Sequence, residues 1–132
     1  MPDRAVFSQS WWQAYQIVNN TFAQKVIEAL KQKLDENPDS IPTVWIHDYH
    51  LMLAANKIRQ LASDQNLHCK IGFFLHVHFP SWDIMKIFPW LDLILQGILG
   101  KFLSKLIYQF YHALSFILKG LIWLDFKLKI IA

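Results

Sequence analysis

Apolar residues at Tyr15, Val18, Phe22, Val26, Leu30 and Leu34 recur at spacings of three and four, the period of one helix face. Ser8 or Ser10 stands where a helix N-cap is favoured, so the spacing predicts a helix that buries that stripe. The polar run 35–40 ends it, because Pro38 disfavours helical backbone in the residue before it. Thr43-Val44-Trp45-Ile46 comes next; short, β-branched and aromatic, it reads as a fully buried strand. A second helical period runs from Leu51 through Ala54, Ala55, Ile58, Leu61 and Ala62, with Lys57, Arg59 and Gln60 off the stripe, and gives way between Ser63 and Asn66. Residues 70–77 are then nearly continuous in apolar side chains, as suits a strand covered on both faces.

Strand, amphipathic helix and buried strand in that order make a βαβ unit, whose strands are parallel, so the expected class is α/β. Pro80-Ser81 closes the second strand, Ser81 can cap a short helix over 82–88, and Pro89 opens another that runs to about Gly100. Residues 1–100 therefore read as a partial domain and 101–132 as a divergent apolar, Lys-rich tail, helical or irregular, in which no periodicity persists. Its Lys, Phe, Ile, Leu and Tyr are what adenine- and thymine-rich codons encode, which suits a frame change or intron readthrough near residue 100. The uncharged stretch 106–118 is 13 residues long, short of the roughly 20 a membrane span needs. Extending it across 102–124 carries Lys119 inward, so membrane association through that segment is the weaker reading.

Charge is divided in the same way. Residues 1–100 hold eight Lys or Arg against nine Asp or Glu, while the last 32 residues hold five Lys and one Asp. The net charge of +3 thus belongs to the tail. Arg occurs only at positions 4 and 59, so no basic surface for a nucleic acid is expected. At 54% hydrophobic and 17% charged the chain should bury a core. A single cysteine, Cys69, and no secretory leader pattern point to a reducing, cytoplasmic setting.

Two polar clusters interrupt the apolar text, each just past the end of a predicted strand: His47-Asp48-Tyr49-His50 and His76-Val77-His78. Ligands of open parallel sheets bind beyond the carboxyl ends of the strands, and adjacent parallel strands would bring Asp48 and His76 to one such edge. The blander alternative makes Asp48 a helix cap and His50 or His76 a satisfied core histidine. Zinc ligation by the histidines is disfavoured, since His47 and His50 straddle a strand-to-loop junction and no cysteine assists. Trp82 stands where it can line a sugar site, and Cys69 reads as a small core residue. The first glycine is Gly72, so no glycine-rich turn comes after the first strand to cradle a pyrophosphate, and no cofactor or metal is expected.

Val44-Trp45-Ile46-His47-Asp48-Tyr49-His50-Leu51-Met52-Leu53, with Ile71-Gly72-Phe73-Phe74-Leu75-His76-Val77-His78-Phe79-Pro80 after it, resembles the paired signature of trehalose-6-phosphate synthases, retaining sugar-nucleotide glycosyltransferases. Trp12-x-x-Tyr15-x-x-Val18-Asn19-x-x-Phe22-Ala23 and Met1-Pro2-Asp3-Arg4 resemble the same family, invertebrate members in particular. The resemblance covers Met1 to about Gly100. It implies part of the N-terminal Rossmann-like domain of a two-domain GT-B glycosyltransferase that transfers glucose from UDP-glucose to glucose 6-phosphate. By that likeness Asp48 would hydrogen-bond sugar hydroxyls on the acceptor side and His76 would contact the transferred glucose. The family's glycine loop, its acceptor-phosphate residues and its second domain have no counterpart here, and His78 stands where the family has Pro. The expectation is a catalytically incomplete fragment, with association with a full-length synthase as the alternative.

Overall fold

The computed structural model describes residues 5–77, 80–100 and 130–131. Helix α1 (Gln9–Glu36) leads into strand β1 (Thr43–His47), a single 3-10 turn (Tyr49–Leu51), helix α2 (Ala54–Asp64) and strand β2 (Lys70–Phe74). The short helix α3 (Trp82–Met85) and a helical stretch over 91–100 come next, and β3 (Ile130–Ile131) completes the described elements.

The expected βαβ unit is present. β1 and β2 pair in parallel, with Thr43 opposite Lys70, Trp45 opposite Gly72 and His47 opposite Phe74. β2 ends at Phe74, three residues before the apolar run does, and α3 ends at Met85 rather than Phe88. The tail contributes what its text did not predict, a two-residue antiparallel strand pairing Ile131 with Gly72 and Ile130 with Phe73. The rest of 101–132, including the segment 102–124, lies outside the described residues. No helix among the described residues is long and apolar enough to cross a membrane.

Two burial expectations are corrected. The stripe that α1 buries is Trp12, Asn19, Ala23, Ile27 and Leu30, whereas Val18 and Phe22 are about half exposed, at 47% and 51%. Asn19 turns inward because the core supplies partners for its amide, and Ala23, with no side chain beyond Cβ, lets α1 pack closely on α2. β1 is not buried on both faces either: Ile46 is buried, but Thr43, Trp45 and His47 are exposed. The core lies on one side of the sheet, where Ile46, Ile71 and Phe73 meet Ala23, Ile27, Ala54, Ala55, Ile58, Ile94 and Ile98. Ser8 is the N-cap of α1 by backbone conformation, but its hydroxyl contacts Ser10 rather than a helix amide.

Aromatic rings tie the start of α1 to the chain entering 91–100. Trp12 stacks on Trp90 at 4.9 Å and meets the ring of Phe88 edge-on at 6.1 Å, and Phe7 reaches the same Phe88 at 5.5 Å. On the open face of the sheet the Trp45 ring lies flat over Gly72, so close that a Cβ there would overlap it. Gly72→Ala is expected to cost about 1–3 kcal/mol by overpacking. In a Trp45→Ala background the same change should be neutral or stabilising, because a strand glycine is entropically unfavourable. Urea denaturation of the two single variants and the double variant checks this. Equal costs in both backgrounds would refute the contact.

Candidate active site

The loop after β1 is held from two sides by groups distant in sequence. From α1, the Tyr15 hydroxyl donates to the Tyr49 carbonyl at 2.7 Å and accepts from the Met52 amide at 3.1 Å. One turn on, Asn19 Nδ2 donates to the His50 carbonyl at 3.1 Å and Oδ1 accepts from the Leu53 amide at 3.1 Å. The Asn19 amide also bonds the Tyr15 carbonyl one turn back, at 2.9 Å. Asn19 is the one buried polar side chain among the described residues, 1% exposed. Stripped of it, the Leu53 amide and the His50 carbonyl would lose partners, at about 1–3 kcal/mol for each group left unsatisfied in the interior. On the other side Gly97 lies against the Met52 carbonyl and Leu53, so close that a side chain there would collide with backbone.

This clamp fixes Asp48 in an unusual conformation. Its φ of 68° and ψ of 176° fall in a region that glycine alone adopts freely. The Asp48 amide donates to the Phe74 carbonyl at 2.7 Å, and its Oδ1 accepts from the Tyr49 amide at 3.0 Å. Asp48 thus does cap the turn after it, in keeping with the blander alternative. A cap alone needs no such backbone, since capping residues sit comfortably in the extended region.

Asp48 comes directly after β1 and His76 lies two residues past β2, so both stand at the carboxyl edge of the parallel pair. The side chain that meets His76 is nevertheless His47: its Nδ1 lies 2.9 Å from His76 Nε2, with the rings 25° apart and their centroids separated by 5.2 Å. The Phe74 ring meets His76 edge-on at 4.6 Å, and Trp45 meets His47 at 6.1 Å. His50 turns aside and stacks on Tyr49 at 4.1 Å. His47 and His50 thus do not converge, and no three metal-ligating side chains gather among the described residues. His78 and the Trp82 side chain lie outside the described residues.

Cys69 is buried beside Arg59, whose guanidinium donates to the Cys69 carbonyl at 3.2 Å. Burial pushes its thiol up from the usual value, with Arg59 opposing, so it is a poor nucleophile. Tyr15 and Asn19 do not stand out as site residues in the sequence. Their one signal there is a polar residue a turn away from a tyrosine, on a helix whose other positions fit apolar spacing.

The family model for glycosyltransferase family 20 matches residues 1–112. The chain belongs to that family. An alpha,alpha-trehalose-phosphate synthase (UDP-forming) of Candida albicans is 40% identical over 99 residues, 75% of this chain and 19% of that protein. The regulatory subunit of the trehalose synthase complex of Saccharomyces cerevisiae is 36% identical over 99 residues, 75% of this chain and 8% of that one. Among solved structures, the alpha,alpha-trehalose-phosphate synthase (UDP-forming) of Burkholderia vietnamiensis superposes with a TM-score of 0.60 at 28% identity, covering 84% of this chain and 23% of that one. This family 20 chain is therefore a partial Rossmann-like unit and spans about a fifth of the length of such synthases.

The strained loop and the buried phenol of this family 20 chain each have a measurable effect. Asp48→Ala loses the cap but keeps the strain, whereas Asp48→Gly relieves it. The glycine variant should therefore be the more stable of the two by about 1–3 kcal/mol in chemical denaturation. Equal stabilities would mean that the backbone at 48 carries no strain. Burial raises the Tyr15 phenol above its ordinary value near 10, against the lowering effect of its Met52 and Asn19 hydrogen bonds. With the folded value above the unfolded one, the fold's preference for the neutral phenol is fully present below about pH 10 and lost as pH rises through the folded value. Denaturation midpoints should fall above pH 10, and less steeply for Tyr15→Phe. Parallel falls in both proteins would contradict that assignment.

Proposed function

We propose that this chain forms part of the cleft of a retaining glucosyltransferase that moves glucose from UDP-glucose to glucose 6-phosphate, in the cytoplasm. Asp48 hydrogen-bonds hydroxyls on the acceptor side, and His76 contacts the transferred glucose. Both act by positioning and by stabilising developing charge, effects worth most when geometry is fixed in advance. The single observation that carries the reading is Asp48 itself, a carboxylate held in a glycine-type backbone conformation at the carboxyl edge of a parallel pair. Strain of that kind persists where surrounding structure enforces it and clusters at functional sites. The substrate class comes from the Candida albicans relative, a UDP-forming trehalose-phosphate synthase.

Two carboxyl-edge residues from one domain make one wall of such a cleft. The chain alone is therefore expected to release no UDP from UDP-glucose and glucose 6-phosphate. Residues 5–100, exchanged for the matching segment of the Candida albicans synthase, should support UDP release, and Asp48→Ala or His76→Ala in that chimera should lower kcat about a hundredfold. A chimera indifferent to both substitutions would sink the reading.

The likeness to the Saccharomyces cerevisiae regulatory subunit favours one alternative, a non-catalytic module that associates with a full-length synthase. Co-purification with such a synthase, together with an inactive chimera, would favour it.

A further inference from the structure

We infer that His47 is a positioning residue for His76, and that one proton shared between His47 Nδ1 and His76 Nε2 sets the tautomer of both rings. The inference rests on the reading of His76 as a sugar-facing side chain. A neutral imidazole has one donor and one acceptor nitrogen. Two such rings meeting nitrogen to nitrogen at 2.9 Å can place only one hydrogen between them. If His47 Nδ1 carries it, His76 Nε2 accepts and His76 holds its own proton on Nδ1. If His76 Nε2 carries it, His47 holds its proton on Nε2. In either arrangement the two rings bear their protons on the same-named nitrogen, and the outer nitrogen of His76, Nδ1, has its donor or acceptor character dictated by His47.

The surroundings favour a positioning role over a stabilising one. Both imidazoles are exposed, so their contact adds little to folding. The Phe74 ring, edge-on to His76 at 4.6 Å and in register with His47, limits how that ring can tilt. His47 is also the last residue of β1, directly before Asp48. The strand end that fixes the carboxylate therefore also fixes the imidazole, which is how a sugar-binding pair is pre-organised without a direct contact between its members.

The test is a long-range 1H–15N correlation spectrum of the histidine rings of the full 132-residue chain, recorded above pH 8 where an ordinary imidazole is neutral. Signals are assigned by loss in His47→Ala and His76→Ala. Expected in the unsubstituted chain is one tautomer on each of the two rings, protonated at the same-named nitrogen. His47→Ala should return His76 to the averaged pattern of a free imidazole while leaving the urea midpoint unchanged. His47→Asn, whose amide sits where Nδ1 was, should restore a single His76 tautomer. Opposite tautomers on the two rings, a His76 pattern unaltered by His47→Ala, or an asparagine variant that behaves like the alanine one would each overturn the inference. Failure of the sugar reading looks different: His76→Ala leaves UDP release by the chimera intact, whatever the spectra of the chain contain.

Discussion

The described structure depends on two side chains of α1 that bond the backbone of a loop thirty-odd residues away. Tyr15 and Asn19 between them engage the carbonyls of Tyr49 and His50 and the amides of Met52 and Leu53. Each such bond contributes about 0.5–1.5 kcal/mol net. Together they exceed the roughly 1–3 kcal/mol that a glycine-type conformation costs an ordinary residue. The inequality explains why Asp48 stays in place, and the same bonds set where α2 begins. The loop cannot drift towards 91–100 either, because Gly97 already lies against it. A polar device buried in the core thus delivers a geometry that apolar packing, which is non-directional, cannot specify.

What was legible in the sequence was whatever depends on local period and run length. The run ending at Leu75 and the run at 43–46 gave β2 and β1, and Ala54, Ala55, Ile58 and Ala62 gave α2 its buried face. The buried face of α1 was not legible from apolar spacing. Val18 and Phe22 fit a helical stripe as well as Trp12, Ala23 and Ile27 do, and the choice between faces was made by Asn19, whose partners lie in another element. A polar residue that belongs inside is invisible to a count of apolar positions. The exposure of Trp45 has a similar origin. A strand's composition tells what it tolerates, while its burial depends on which elements come to cover it, and the described helices pack on the side of Ile46, Ile71 and Phe73.

The candidate site was legible by topology and incomplete in detail. Parallel pairing sends both strand ends to one edge, so the placement of Asp48 and His76 comes from the βαβ pattern alone. Their neighbours require the register. With His47 opposite Phe74, the side chain reaching across to His76 is that of His47, and the interaction of Asp48 with β2 runs through its backbone amide to the Phe74 carbonyl. A one-residue shift of either strand would have turned His47 to the helix-covered face and removed the contact.

The strain at Asp48 also bears on how this part relates to a larger whole. The described residues draw no folding advantage from a carboxylate there beyond one capping bond to the Tyr49 amide. That bond is available to serine, asparagine or threonine in relaxed backbone elsewhere in proteins. A negative charge kept in a strained loop, on the edge where parallel sheets receive ligands, is better explained by something that binds it than by anything it stabilises within the fold. For a family 20 chain about a fifth as long as the synthases it resembles, the sugar that would bind there also touches groups these residues do not provide. The geometry is therefore prepared in advance of its partners, and the buried bonds of Tyr15 and Asn19 are what allow it to be.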